Sequence, residues 1–320
     1  MSESTAAPQK PGLARQLAPW VFATLILGYM FWKVDFRKVW EIISGAHGSW
    51  IIGAYLTYCI VYYLTDVLSF YRSYNWFNTP ISLGETARLR FASYAVQAVN
   101  GALTEVMCVL YMLRAKGVPA LQATSSAGFI YFNETLTLVA LLTWCAFMLP
   151  EANRIPQIWP FFQGLIVVAW LLLPVWLWFW RGSGKDRWPK LRDAGALVAF
   201  KKATLANYGE VFLYRFGNNL VSLAANVVML RAIGIDAPLP LLFAVVPLMV
   251  NVAYWPVSVG GFGGPQLVAM FLLKGSASEP QIVAYSLIWS ALFFLTRTLT
   301  GIPFLRPVFR AAFDKPTKII

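Results

Sequence analysis

Charge is scarce in this sequence: Asp, Glu, Lys and Arg make up 12% of its 320 residues, and 58% are hydrophobic. A soluble domain carries ~25% charged residues. A surface so poor in charge could not stay dissolved in water, which places the chain in the membrane class. Histidine is nearly absent too, with His47 the single example. The three cysteines, Cys59, Cys108 and Cys145, stand alone inside apolar segments with no CxxC pair, as small apolar side chains do. Too few soft ligands exist to build a metal centre, and no cofactor motif is present. His47 lies in a loop with no hydroxyl or thiol paired to it, so no catalytic triad stands out, and any catalytic reading must rest on carboxylates. Acidic residues are also few, 14 against 26 basic, for a formal charge of +12. The basic residues lie between apolar runs, where they set topology and attract anionic lipid. No aromatic-basic recognition module accompanies them, so no nucleic-acid partner is expected.

Aromatic residues and long apolar runs are what the chain has in abundance. Fourteen tryptophans are present, many near the ends of apolar runs (Trp32, Trp50, Trp76, Trp159, Trp180, Trp188, Trp255), where interfacial belts form. A helix needs about 20 apolar residues to cross the hydrocarbon. Uninterrupted candidates are 17–33, 49–70, 122–149, 158–180, 208–230 and 281–303. The first begins like a signal peptide, but no small-x-small cleavage site follows, so it reads as a retained span. Phe36–Ala46 is amphipathic at helical spacing and too short to cross, as an interfacial helix would be.

Two further apolar segments are interrupted. Segment 86–113 has Gln97, Asn100, Gly101, Thr104 and Glu105 at its centre. Segment 239–273 has Pro256, Gly260, Gly261, Gly263, Gly264 and Pro265. Backbone groups freed by such breaks cannot face lipid, so both predict broken or re-entrant hairpins buried within protein; two kinked spans are the alternative. Basic residues flank 86–113 on both sides (Arg72, Arg88, Arg90; Arg114, Lys116), and a dip that returns keeps both clusters on one face. The positive-inside rule puts those clusters, the loop after 180 and both termini in the cytoplasm.

The expected architecture is all-α and polytopic, with about six spans and two hairpins in a single membrane domain. Repeat one runs over about 15–149 and repeat two over about 155–306, in opposite orientations. NGALTEVMCVLYML before Arg114 faintly echoes GGFGGPQLVAMFLL before Lys274. Inverted repeats with interrupted helices are the architecture of alternating-access transporters. Ionisable residues within such segments are costly and point to function. They are Glu105, Glu134, Arg215 and Arg297, with Glu210 placed at an interface. Glu134 and Arg297 fall at related repeat positions, which suggests an ion pair or a polar lining where the halves meet. Arg215 and Arg297 suit a lipid headgroup or phosphate. The GGFGG run offers backbone amides at a helix start, fit for an anion, or merely a tight turn.

The stretch PVSVGGFGGPQLVAMFL, followed by a polar linker and a span bearing Arg297, resembles the signature of the lysylphosphatidylglycerol synthase transmembrane-region family. Gly84-Glu85, Arg88 and Asn100–Glu105 are similar to that family's first-repeat element, and the likeness covers about 15–310. A glutamate follows the glycines in the family pattern, where this chain has Gln266. The resemblance implies translocation or handling of a membrane lipid, with Gly260, Gly261, Gly263, Gln266, Arg297, Asn100, Gly101 and Glu105 as site positions. The aminoacyl-transfer domain of two-part relatives has no counterpart here, so a separate lipid-modifying enzyme would have to supply that activity. The expected partner is an anionic or polyprenyl/hopanoid-type lipid of a bacterial inner membrane. An intramembrane enzyme or accessory subunit acting on such a lipid, with Glu105 or Glu134 as base, is the alternative.

Overall fold

The computed structural model describes residues 28, 35–97, 101–151, 154, 159–181, 193–254, 258 and 261–313. Apart from Gly28, the 17–33 segment therefore lies outside the described residues. Among those described there is no strand, and eleven α-helices account for most of these residues. Asp35 caps α1 (Phe36–Gly45) by accepting the Arg37 N–H at 3.1 Å, and α1 buries Val39 while leaving Trp40 exposed. This is the amphipathic helix the spacing predicts, and its apolar face meets Val283 and Ala284.

Four helices are long and apolar enough to cross a bilayer: α2 (Gly48–Phe77), α5 (Ala120–Met148), α6 (Trp159–Arg181) and α11 (Glu279–Phe313). They match the 49–70, 122–149, 158–180 and 281–303 expectations. The 208–230 candidate is α8 (Leu205–Ala232), opened by a Thr204–Asn207 capping box. Its 28 residues give about 42 Å at ~1.5 Å per residue, which is span length. It is too polar to count as an apolar span, because Arg215, Asn218, Asn219, Ser222 and Asn226 line its buried side. The short helix α7 (Val198–Lys202) precedes α8, after a 3-10 turn at Gly195–Leu197.

Each interrupted segment folds as two short helices that pack on each other: α3 (Leu83–Gln97) on α4 (Gly101–Lys116), and α9 (Leu239–Val252) on α10 (Gly264–Leu272). The longest has 16 residues, about 24 Å at ~1.5 Å per residue, short of the ~30 Å hydrocarbon core. The first pair starts and ends at one end of the bundle, where Glu85 takes the Lys116 ammonium at 2.8 Å. The second starts and ends at the other, where Gln281 at the start of α11 donates to the Gly234 carbonyl ahead of α9. Their tips meet: a Cβ built on Gly101 would lie 2.5 Å from the Tyr254 carbonyl oxygen.

Packing pairs recur across the two halves. The central contact is α2 with α8; α3 crosses α11 and α9 crosses α5; α1 covers α11 and α7 covers α5. Two apolar clusters fill the two ends. One gathers Phe70, Tyr74 and Phe77 of α2 with Met112, Phe129 and Val211. The other gathers Ile51, Tyr55 and Tyr58 with Leu223, Met229, Met249 and Trp289. The buried charged side chains, Asp66, Arg90, Arg215 and Arg297, lie between these clusters.

Candidate functional site

The polar layer centres on Asp66. Its carboxylate accepts Arg90 Nε at 2.7 Å and Arg215 Nη2 at 2.9 Å, and takes a hydrogen bond from the Tyr94 hydroxyl. All three charged side chains are nearly fully buried. Arg90 lies over the Phe70 ring, 3.7 Å from its centroid, and its Nη1 reaches Glu105 at 3.1 Å. Glu105 also accepts the Tyr131 hydroxyl. Arg215 continues the network to Glu134 at 3.8 Å, and Asn219 donates to that carboxylate at 3.0 Å. Burying any of these charges alone would cost several kcal/mol, so the layer is tenable only as a network. Five residues, one each from α2, α3, α4, α5 and α8, thereby share their charge.

This network walls a cavity of about 270 Å³ lined by Tyr62, Asp66, Arg90, Gly101, Thr104, Glu105, Tyr131, Glu134, Arg215, Asn218, Val250, Asn251 and Tyr254. Four of its lining atoms have no hydrogen-bond partner among the described residues: Thr104 Oγ1, Glu105 Oε2, Arg215 Nε and Asn218 Oδ1. Unmet buried donors and acceptors are costly and call for water or a ligand. Here they offer both donors and acceptors, as a polar headgroup requires.

The structure brings Gly101, Glu105, Glu134 and Arg215 together in this cavity. Arg297 stands beside it. Its Nη2 donates to the Tyr254 hydroxyl at 2.8 Å, which donates in turn to that of Tyr62 at 2.8 Å, both lining residues. The suggested Glu134–Arg297 pair does not form. Glu134 goes to Arg215, and the Arg297 guanidinium is enclosed by the Tyr62 and Phe293 rings at 4.3 and 4.2 Å. Cation–π attraction stands in there for a carboxylate. Nε and Nη1 of Arg297 have no partner among the described residues.

Gly261, Gly263 and Gln266 lie apart from the cavity, where the start of α10 packs against α11. Gly261 and Gly263 have φ of 83° and 97°, and a Cβ on Gly261 would lie 2.7 Å from the Phe293 ring. Only glycine fits that turn. Gln266 is fully buried. Its Oε1 accepts the Gly263 N–H at 2.7 Å, and its Nε2 donates to Ser290 Oγ at 2.8 Å and the Ser286 carbonyl at 3.2 Å. The amide thus locks the glycine turn to α11, a task that one donor group and one acceptor suit. Gln266→Leu should leave the Gly263 N–H and the Ser290 hydroxyl short of partners, costing about 2 kcal/mol. A fall of roughly 5 °C in the melting temperature of the detergent-solubilised chain is expected; an unshifted melt would show that the lock contributes nothing. Asn100 and Gly260 lie outside the described residues.

Asp66, Arg90, Tyr62, Tyr131 and Tyr254 line the cavity too, though none is among the candidates that the sequence pattern singles out. Asp66 carries the same signal as Glu134, an acid inside a predicted span. The sequence places Arg90 in the topology-setting basic flank; the structure buries it against Asp66 instead, because α3 starts well before the segment's polar centre. Glu210 pairs with Arg72 at 2.7 Å in a partly exposed position at the bundle end, away from the cavity.

No curated protein matches the chain. The sequence pattern described as the lysylphosphatidylglycerol synthase TM region matches residues 16–301. That match spans nearly every helix described above, including both hairpins and all charged residues of the cavity, and the chain belongs to this membrane-protein family, whose description connects it with lipid handling.

Proposed function

We propose that the cavity receives the headgroup of a membrane lipid, anionic or polyprenyl/hopanoid in type, and that the protein moves this lipid across the bacterial inner membrane. The observation that carries the reading is the set of unmet polar atoms on a buried, charge-lined cavity at the meeting point of two hairpin tips. Phosphate oxygens would take Arg215 Nε and Thr104; headgroup hydroxyls or amines would take Glu105 and Asn218. Arg297, one tyrosine away, supplies a cation not committed to any carboxylate among the described residues. Repeats at 15–149 and 155–306 of opposite orientation would make the cavity reachable from each side in turn. In this reading both hairpins are re-entrant and both termini are cytoplasmic. The recurrence of packing pairs between the halves and the opposed directions of the two hairpins support it.

Vesicles containing fluorescent phosphatidylglycerol measure the activity directly. The intact chain should speed transbilayer movement well above empty vesicles, and Glu105→Ala and Arg297→Ala should each slow it about tenfold, a loss of ~1.4 kcal/mol. Wild-type rates no higher than those of empty vesicles, or both variants equal to wild type while folded, would remove the basis for the proposal.

A further inference from the structure

The headgroup cavity opens sideways, and an apolar groove begins one helical turn from its mouth. Asp66, Arg90, Thr104, Arg215 and Asn218 are buried, whereas Tyr131 is 43% exposed and the Glu105 side chain 22%. The mouth therefore lies between α4 and α5, where the Tyr131 hydroxyl bonds Glu105. Val106, which follows Glu105 on α4, is exposed as well. A mouth flanked by an exposed valine and an outward tyrosine ring on membrane helices faces hydrocarbon.

Around α5, at about 100° per residue, Glu134, Tyr131, Thr135, Val139 and Phe132 follow one another in that order. Glu134 and Tyr131 line the polar cavity. Thr135, Val139 and Phe132 line a groove of about 670 Å³ between α5 and α6, whose far wall includes Leu172, Trp176 and Phe179. The Thr135 hydroxyl donates to the Tyr131 carbonyl, leaving the groove without a free polar group on that edge. The volume falls within the ~300–1,000 Å³ of ligand pockets. Tyr131 is the boundary between the two chambers: its ring faces outward and its hydroxyl points to the charged side.

We propose that this α5–α6 groove seats a hydrocarbon chain of the lipid whose headgroup occupies the cavity, with Tyr131 at the junction of head and tail. The proposal rests on the cavity being the headgroup site. Continuity favours this occupant. A ligand with one polar and one apolar part fills both chambers at once, whereas a packed protein helix would fill the groove alone. The polar end selects the lipid, and the groove aligns its chain with the mouth.

The test uses the full chain in nanodiscs containing phosphatidylglycerol with a diazirine in one acyl chain, followed by mapping of the cross-links. Labels are expected on the stretches around Thr135–Val139 and Leu172–Phe179. Glu105→Ala should lower that labelling about fivefold, the factor for ~1 kcal/mol, because the chain is held through its headgroup. Val139→Trp and Leu172→Trp, which fill the groove from either wall, should displace chain labels more than those from a headgroup diazirine. Groove labelling indifferent to Glu105→Ala would mean ordinary surrounding lipid and overturn the proposal, as would labels absent from both walls. Headgroup-dependent groove labelling without transbilayer movement would keep this assignment while refuting transport; movement that both tryptophan variants leave at the wild-type rate would do the reverse.

Discussion

Asp66→Ala should be the most damaging single side-chain truncation in the protein, lowering its stability by about 3–5 kcal/mol. The aspartate holds two arginines, Arg90 at 2.7 Å and Arg215 at 2.9 Å, each nearly as buried as itself. Removing it leaves Arg90 with Glu105 and Arg215 with the more distant Glu134, and leaves the Tyr94 hydroxyl without its acceptor. Two guanidiniums then face each other across a cavity with one counter-charge gone. Water can enter through the Tyr131 mouth and soften the loss, which keeps the figure below that for a sealed interior. Asp66→Asn keeps the shape and one acceptor oxygen and should lose less. The measurement is the melting temperature in detergent, expected to fall by roughly 10 °C for alanine. A melt within a degree or two of wild type would mean that the two arginines do not depend on this carboxylate.

The helices were legible where one rule sufficed. Length and apolarity located α2, α5, α6 and α11, because a bilayer imposes a minimum run of about 20 residues. Amphipathic spacing located α1, and helix breakers at Asn100-Gly101 and along 260–265 located both hairpins. Half of the cavity was legible on the same terms, since Glu105, Glu134 and Arg215 are charges in apolar surroundings. The partners were not, for a physical reason. Which carboxylate meets which guanidinium depends on helix crossings, and those are set by packing between residues distant in sequence. Glu134 and Arg297 occupy related places in the two halves, yet α8 brings Arg215 to Glu134 first, and Tyr62, Tyr254 and Phe293 enclose Arg297. An aromatic enclosure for a cation is spread over α2, α11 and the end of α9, so no local pattern announces it. The glycine run shows the same limit: its positive φ values fit the turn reading, and Gln266 ties that turn to α11.

Gly301→Val should rank beside Asp66→Ala, through sterics in place of charge. Within a helix, replacing glycine by a residue with a side chain usually helps or costs little, since glycine is ~1 kcal/mol worse than alanine there. Gly53 of α2 is such a place, with nothing within 4 Å of a built Cβ. At Gly301 the Cβ would lie 2.5 Å from the Ala95 nitrogen and 2.6 Å from the Phe91 carbonyl oxygen, both backbone atoms of α3. Backbone cannot rotate away as a side chain tip can, so α3 and α11 must separate. Overpacking of this kind costs about 3 kcal/mol, whereas Gly53→Val meets nothing and gains slightly in helix propensity, so it should leave the stability within about 0.5 kcal/mol of wild type. The separation also has an electrostatic consequence. Arg90 precedes Phe91 on α3, so moving that helix outward draws the guanidinium away from Asp66. The two lesions therefore share one cause of instability, and the Gly301→Val, Asp66→Ala double variant should melt higher than the sum of the single losses predicts. Strict additivity would show that the α3–α11 crossing and the buried charge layer are held independently.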